Sequence, residues 1–492
     1  MGEIVHADLD RRALNRHRAS VTEWMLPVFL GLVAGAAAGL FVSVHWSILI
    51  VAAFAVVLLS ALENETFLLF VIVLLPLSWE WPEGFLRDVM TPLRLLMLVG
   101  FFAGRAWRGN LDWRRLWSFP ISKTCALFLA IAVVSVMVGP VGWQHDSLAQ
   151  IYRLISWVGF YFFAVAWIGS RRLLHRVLAA FLVSLCLLGV FSVVQEAVGG
   201  YTHLWLYFNP PGPDFIPWTG RAPSLFFYPT ALAGCLGLFL PFALASWILG
   251  RGKLKVLAGA ALGLGFLSLV FSQSLGGLLS FCAVLVLAVV YFVRSWRRRV
   301  LLLAGLLASA AAFYLARRIL NPAHFAAATK SLPPDVIIRL AQFHAAWVLF
   351  LQHPLFGVGF GDFGAVSGGL LPNASWMPST SLMASNLYLN FMAETGIIGC
   401  LVFFFLLFRI ARQSCINART GLRPLGRIIA FGSLGAITTV LVHGLVDYLL
   451  LSSQYGTLLF LVMALVVVSS HVRPRQKTFG PTVKSGGMAA CV

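Results

Sequence analysis

Apolar runs long enough to cross a lipid bilayer follow one another along almost the whole chain, and clusters of arginine and lysine separate them. A membrane-spanning helix needs about 20 consecutive apolar residues. Of the 492 residues, 60% are hydrophobic and only 11% charged, with a mean hydropathy of +0.89. Soluble domains carry about 25% charged residues. A soluble enzyme, a disordered chain and a disulfide scaffold are therefore excluded, and an all-α polytopic membrane protein is expected. The net charge of +19 does not indicate nucleic acid, because the basic residues punctuate apolar runs and build no patch of their own. They read as topology signals.

Fourteen apolar segments can be delimited, near 25–43, 45–62, 66–80, 90–107, 119–139, 149–169, 174–196, 225–249, 254–272, 274–293, 299–317, 385–408, 427–449 and 453–471. With the N-terminus in the cytoplasm and strict alternation, 28 of the 36 Lys and Arg residues fall on the cytoplasmic side and eight outside. That asymmetry predicts both the span number and the orientation, with both termini cytoplasmic. The expected organisation is a cytoplasmic segment over 1–24, eleven spans over 25–317 with an outer loop at 199–224, a large outer loop over 318–384, three spans over 385–471 and a basic tail over 472–492. The polar, arginine-bearing N-terminus lacks the pattern of a cleavable signal peptide. The seven cysteines are scattered, and none has a metal-binding spacing.

Within the large outer loop the apolar residues Val336, Leu340, Phe343, Trp347 and Phe350 recur at helical spacing. They predict an amphipathic helix on or near the outer membrane surface. After it comes His353 to Gly364, HPLFGVGFGDFG, a glycine-rich turn whose backbone at Gly357 and Gly359 can approach a ligand.

Charge in or near a bilayer needs a reason. The outer arginines Arg94, Arg153, Arg221 and Arg339 offer planar forks that match phosphate oxygens. The competing reading is snorkelling to headgroups or pairing within the bundle. Glu394 lies in the twelfth span, and Gly396 and Gly399 permit close helix contact there. His443 and Asp447 are four apart, on one face of the thirteenth span. Glu394 and the His443/Asp447 pair have equally ordinary structural readings, the first as a partner for a buried arginine or a backbone amide and the second as a hydrogen-bonded pair.

Four stretches, GRAPSLFFYPTALAG, SQSLGGLL, RLAQFHAAWVLFLQHPLFGVGFGDF and SNLYLNFMAETGIIG, resemble the O-antigen ligase/polymerase family of bacterial membrane glycosyltransferases. This family includes O-antigen ligases, Wzy-type polysaccharide polymerases and oligosaccharide transferases. The likeness is best from about Gly220 to Leu465. It puts Arg221 in a family arginine position, and Arg339, Trp347, His353, Pro354, Gly357 and Gly359 in the Arg…Trp…His-Pro-x-x-Gly-x-Gly run. Asn386, Gly396 and Gly399 keep the spacing of the ligase motif. Its histidine is replaced by Ser385, and the arginine of the family's Ser-Arg-Gly by Leu275.

The resemblance implies a donor glycan on undecaprenyl diphosphate at the outer leaflet of the bacterial inner membrane. The acceptor is a glycan or lipid-linked hydroxyl, no cofactor is used, and other polysaccharide-assembly proteins are partners. Arg221 and Arg339 would stabilise the departing diphosphate in place of a metal, with Arg153 in support. Ser385, Asn386, Gly357, Gly359 and His443 would line the substrate site. For a proton acceptor the candidates are His344, His353, Glu394 and His443. Ser385, which cannot take a proton unaided at neutral pH, favours a polymerase of exopolysaccharide or O-antigen. The alternatives are an O-antigen ligase acting on lipid A core and, from another class, a glycan flippase or exporter or a non-catalytic assembly subunit.

Overall fold

The computed structural model describes residues 44–76, 90–197, 221–222, 224, 226, 228–305, 307–308, 334–371, 383–420 and 424–471. Every regular element among them is helical. In chain order they are α1 (Val44–Ala61), α2 (Glu65–Leu74), α3 (Met90–Trp107), α4 (Trp113–Ser118), α5 (Pro120–Val138), α6 (His145–Trp167), α7 (Arg171–Ala197), α8 (Pro229–Leu249), α9 (Lys253–Phe271), α10 (Leu275–Phe292), α11 (Pro334–Gln352), α12 (Phe363–Ser367), α13 (Leu387–Thr420), α14 (Leu425–His443) and α15 (Ser453–His471). Among the described residues nine helices are long and apolar enough to cross a membrane. They coincide with nine of the fourteen expected segments. The expected cytoplasmic segment (1–24), the first expected span (25–43) and the tail (472–492) lie outside the described residues, as do most of the expected outer loop at 199–224, most of the eleventh span (299–317) and residues 318–333 and 372–382 of the large outer loop.

Two helices form the centre of the bundle. Residues Ser453 to Ser469 of α15 and Leu232 to Ser246 of α8 are buried on every face. This all-round burial fits sequences that are apolar all round. Helices α6, α14 and α13 pack on α15, while α14, α9, α7 and α10 surround α8. On the outer helices, large apolar side chains such as Met137, Val190, Val256, Phe266, Val286, Leu401 and Phe408 are exposed, as expected of a surface solvated by lipid tails.

Close packing is set by small residues. Gly100 and Gly104 of α3 lie against the backbone of Val57 and Ala61 on α1, and Gly189 of α7 against Leu264 on α9. Arg94 of α3 is buried; its guanidinium donates to Thr457 Oγ1 at 2.7 Å, to Thr91 Oγ1 at 2.8 Å and to the hydroxyl of Ser453. Trp157 Nε1 donates to the Ser453 carbonyl at 3.0 Å. Arg94 thus ties α3 to the start of α15, which is the structural role that competed with phosphate binding.

Arginines gather where α3, α7 and α9 carry their basic ends. There Arg105 and Arg108 donate to Glu63 at 2.9 and 2.6 Å. Burial pushes the Glu63 carboxyl up, but hydrogen bonds and charge from the two arginines outweigh it and hold it below the usual range.

Candidate functional site

At the opposite end of the bundle, four elements bring the candidate residues together. Helix α11 supplies Arg339 and, three residues on and therefore on the same face, Gln342. Arg339 Nη1 donates to the backbone carbonyl of Val446, in the turn that follows α14. His443, the last residue of α14, is buried. Asp447 and Arg339 are the charges close to its ring. A Cβ placed on Gly276 would fall 2.6 Å from that ring, so the first turn of α10 lies directly on it. Neither ring nitrogen of His443 has a hydrogen-bond partner among the described residues. Helix α14 ends at His443, so Asp447 is not on the same helical face but in the turn beyond, where its carboxylate accepts from the backbone of Tyr448 at 2.9 Å; with both ring nitrogens unpartnered among the described residues, the expected His443–Asp447 hydrogen bond is not formed.

Arg221 reaches the same end from another direction. Its Nε donates to the Ser272 carbonyl at 3.0 Å, and Ala222 N donates to the Phe271 carbonyl at 2.9 Å. The turn that holds it, Ser272-Gln273-Ser274, leads into α10, where the Ser274 hydroxyl caps the helix by accepting from Gly277 N at 3.2 Å. Two residues after Ser274 comes Gly276, the residue against His443. Arg221 and Arg339 therefore flank one connected set of contacts.

The start of α13 completes the set. Asn386 Oδ1 accepts from the backbone of Tyr388 and Leu389, both at 3.0 Å, and its Nδ2 donates to the Leu445 carbonyl at 2.9 Å. Leu387 N donates to the Gly444 carbonyl at 2.7 Å. Asn386 thus fastens α13 to the turn that carries His443 and Val446. The Ser385 hydroxyl donates to Gln342 Oε1 at 2.7 Å, and its backbone N–H reaches the same oxygen at 3.2 Å. The sequence reading missed Gln342, although its spacing from Arg339 was a usable signal.

Other candidates fall elsewhere. His344 is exposed on α11. His353 is half-buried, and its backbone closes the turn after α11, with its carbonyl accepting from Gly357 N at 3.0 Å. Arg153 is half-buried on α6. Helix α11 itself turns small residues inward: Ala345, Ala346 and Leu349 are buried with Ala393 of α13. Val336, Leu340 and Trp347 of the expected apolar stripe are exposed. The small face permits close approach to α13, which leaves the large apolar side chains for the surroundings.

Glu394, Gly357 and Gly359 belong to a second arrangement. The twelfth span was expected to be one continuous helix, but α13 is interrupted at Gly396, whose φ is 62°. The glycine-rich turn repairs the interruption through its backbone. Val358 N and Gly359 N donate to the carbonyls of Ala393 and Glu394 at 2.9 and 3.0 Å. In return, the carbonyls of Pro354 and Leu355 accept from Ile397 N and Ile398 N at 2.8 and 3.4 Å. Ser135 Oγ of α5 also donates to the Glu394 carbonyl, at 2.7 Å. Broken helices persist in membranes only where other groups satisfy the freed backbone. The Gly359 amide is thus engaged by the protein itself.

The Glu394 side chain is buried, and the backbone N–H groups of Gly361 and Phe363 are directed at it. Asp362 is buried close by. Burial, which outweighs the nearby Ser147 hydroxyl and is reinforced by the Asp146 charge, pushes its carboxyl up to about 6. Gln150 Oε1, Glu394 Oε2 and both Asp362 oxygens make no well-formed hydrogen bond among the described residues. Among those residues no group of three or more His, Cys, Asp or Glu side chains is arranged to hold a metal ion.

Residues 260–404, from α9 into α13, match the family described as O-antigen ligase. No curated protein matches the chain significantly.

Proposed function

We propose, from the match of residues 260–404 to the O-antigen ligase family, that the chain is a membrane glycosyltransferase that moves a glycan from a polyprenyl diphosphate to a hydroxyl of a second glycan. The observation that carries this reading is the convergence of Arg339, His443 and the Arg221-bearing turn at one end of the bundle.

In the proposed reaction the acceptor oxygen attacks the anomeric carbon, and the bond from that carbon to the diphosphate oxygen breaks. The electron pair leaves with the diphosphate, whose charge grows as the bond stretches. Arg221 and Arg339 meet that charge with preorganised guanidinium groups. Both are half-buried, so their field is screened less than in open water. The proton lost by the acceptor hydroxyl goes to His443 or to a diphosphate oxygen. His443 is the strongest of the four proton-acceptor candidates: its ring is buried beside Arg339 and its nitrogens have no partner among the described residues. Ser385 donates to Gln342 and serves to position α11 against α13.

Ser385, standing where a ligase has its histidine, supports polymerisation of undecaprenyl-diphosphate-linked repeat units at the outer face of the inner membrane, for exopolysaccharide or O-antigen. Deleting the gene and analysing the lipid-linked glycans tests this. Accumulation of single repeat units is expected. Full-length chains left on the lipid carrier would identify a ligase, and units trapped on the cytoplasmic leaflet a flippase.

A further inference from the structure

At the end of the bundle away from this site, a cavity of about 580 Å³ opens between α7, the α8–α9 connection and the start of α14. Its charged lining is entirely cationic or ionisable to cationic: Arg171, Arg172, His175, Arg176 and Arg251. No acidic residue lines it among the described residues. Glu65, just beyond, pairs with Arg176. Helices α7 and α14 both begin at its rim, with Arg171 and Leu425. Helix N-termini add partial positive charge and backbone donors that favour an anion.

The remaining wall is apolar. Leu254, Pro424, Leu425 and Ile428 lie beside the arginines. A free anion needs only the charge. A charged floor joined to an apolar wall, at the level where spanning helices end, matches an amphiphile with an anionic head. Basic pockets between spanning helices are suited to phospholipid headgroups. The cavity is separated from His443 by the length of α14, about 28 Å for its 19 residues at 1.5 Å each. It is therefore not part of the glycan site.

We propose that this cavity binds the phosphodiester headgroup of an anionic phospholipid. The site is independent of the glycan chemistry, and its failure would leave that reading intact. The test uses the full chain in nanodiscs of phosphatidylcholine alone or with phosphatidylglycerol or cardiolipin. Thermal unfolding and retained lipid, by native mass spectrometry, are the readouts. Anionic lipid is expected to raise the Tm by at least about 3 °C and to be retained preferentially.

Arg172 and Arg251 are exposed, so an Arg172→Gln/Arg251→Gln double variant should keep its Tm in phosphatidylcholine and lose most of the gain and the retained lipid. An Arg297→Gln/Arg298→Gln control, with the same charge removed from exposed positions outside the cavity, should keep both. Equal loss in the two double variants would reduce the effect to net charge and overturn the proposal. So would an unchanged lipid response in the first variant. The same Tm gain from inorganic phosphate in phosphatidylcholine discs would identify a free-phosphate site instead and also overturn it.

Discussion

Arg339 is held by a backbone carbonyl, so its fork has a fixed position before substrate arrives. Lysine has a single point charge and no fork, so on the proposed polymerase reading both Arg339→Lys and Arg339→Ala should lower chain formation from lipid-linked repeat units by at least ~10²-fold. Ser385→Ala should leave substantial synthesis, because the hydroxyl only donates to Gln342. His443 separates a positional from a proton-transfer role. His443→Gln keeps a polar side chain and cannot exchange protons near neutrality. A loss of ~10²-fold or more in that variant is expected of a proton acceptor, and full activity would leave the diphosphate as its own base. Asp362 bears on stability. Its carboxyl is pushed up to about 6 from 3.8, so the folded state holds the proton more tightly than the unfolded state. Stability then falls as pH rises from about 4 to about 6 and stays lower above that. The whole effect is at most about 3 kcal/mol at 1.36 kcal/mol per pH unit. Asp362→Asn should remove this slope and raise the Tm at pH 7.5, and an unaltered pH profile would show that Asp362 is ionised without cost. Residue type and position made Arg221 and Arg339 legible in the sequence. The standing of His443 was not legible, because it depends on Gly276 and Arg339, which are distant in the chain.

The glycine-rich turn and the break in α13 form one element made from two distant segments. The sequence showed that backbone would approach something at Gly357 and Gly359, but not that the partner was the protein's own helix. Backbone-to-backbone hydrogen bonds leave no side-chain signature, and apolar periodicity over residues 387–420 continues across Gly396 without a mark. Gly357 and Gly396 have φ of 72° and 62°, and a Cβ on either would run into backbone, that of Glu394 and Thr395 for Gly357 and that of Leu355 and Phe356 for Gly396. Left-handed backbone costs an L-residue about 1–2 kcal/mol before any clash. Gly357→Ala and Gly396→Ala should each destabilise the protein by more than about 2 kcal/mol, seen as a lowered Tm in detergent. Gly369 has ordinary backbone and open space within 4 Å of where a Cβ would stand, so it should tolerate alanine. If all three behave alike, the stitched break is not what fixes α13. Helix α11 shows a related lesson. Periodicity located the helix, but its large apolar stripe turned outward and its small residues made the contact.

Across the whole molecule, alternation of apolar runs was the strongest signal, since a helix in lipid must satisfy its own backbone. It located α5 to α10 and α15 to within four residues at each end, whereas α13 runs twelve residues past its expected end and α14 stops six short of its own; helix ends and the repaired break depended on caps and distant partners. Charge distribution is the second molecular feature. The lined cavity with Arg171 and Arg251, and the Glu63 pair with Arg105 and Arg108, sit at the basic end. His443, Asn386 and the Ser272–Gly276 turn sit at the other. Basic ends are retained in the cytoplasm, which would put the candidate site outside, where lipid-linked glycans are presented. Two exposed positions test this orientation in a background whose natural cysteines are replaced. Gly369→Cys lies at the site end and Lys253→Cys at the start of α9. A membrane-impermeant maleimide applied to intact spheroplasts should label the first and reach the second only after permeabilisation. Both substitutions leave every arginine in place, and the second removes a single lysine from the basic end, so the charge pattern that sets orientation is kept. Labelling in the reverse order would turn the site toward the cytoplasm and remove the basis for an outer-leaflet glycan donor.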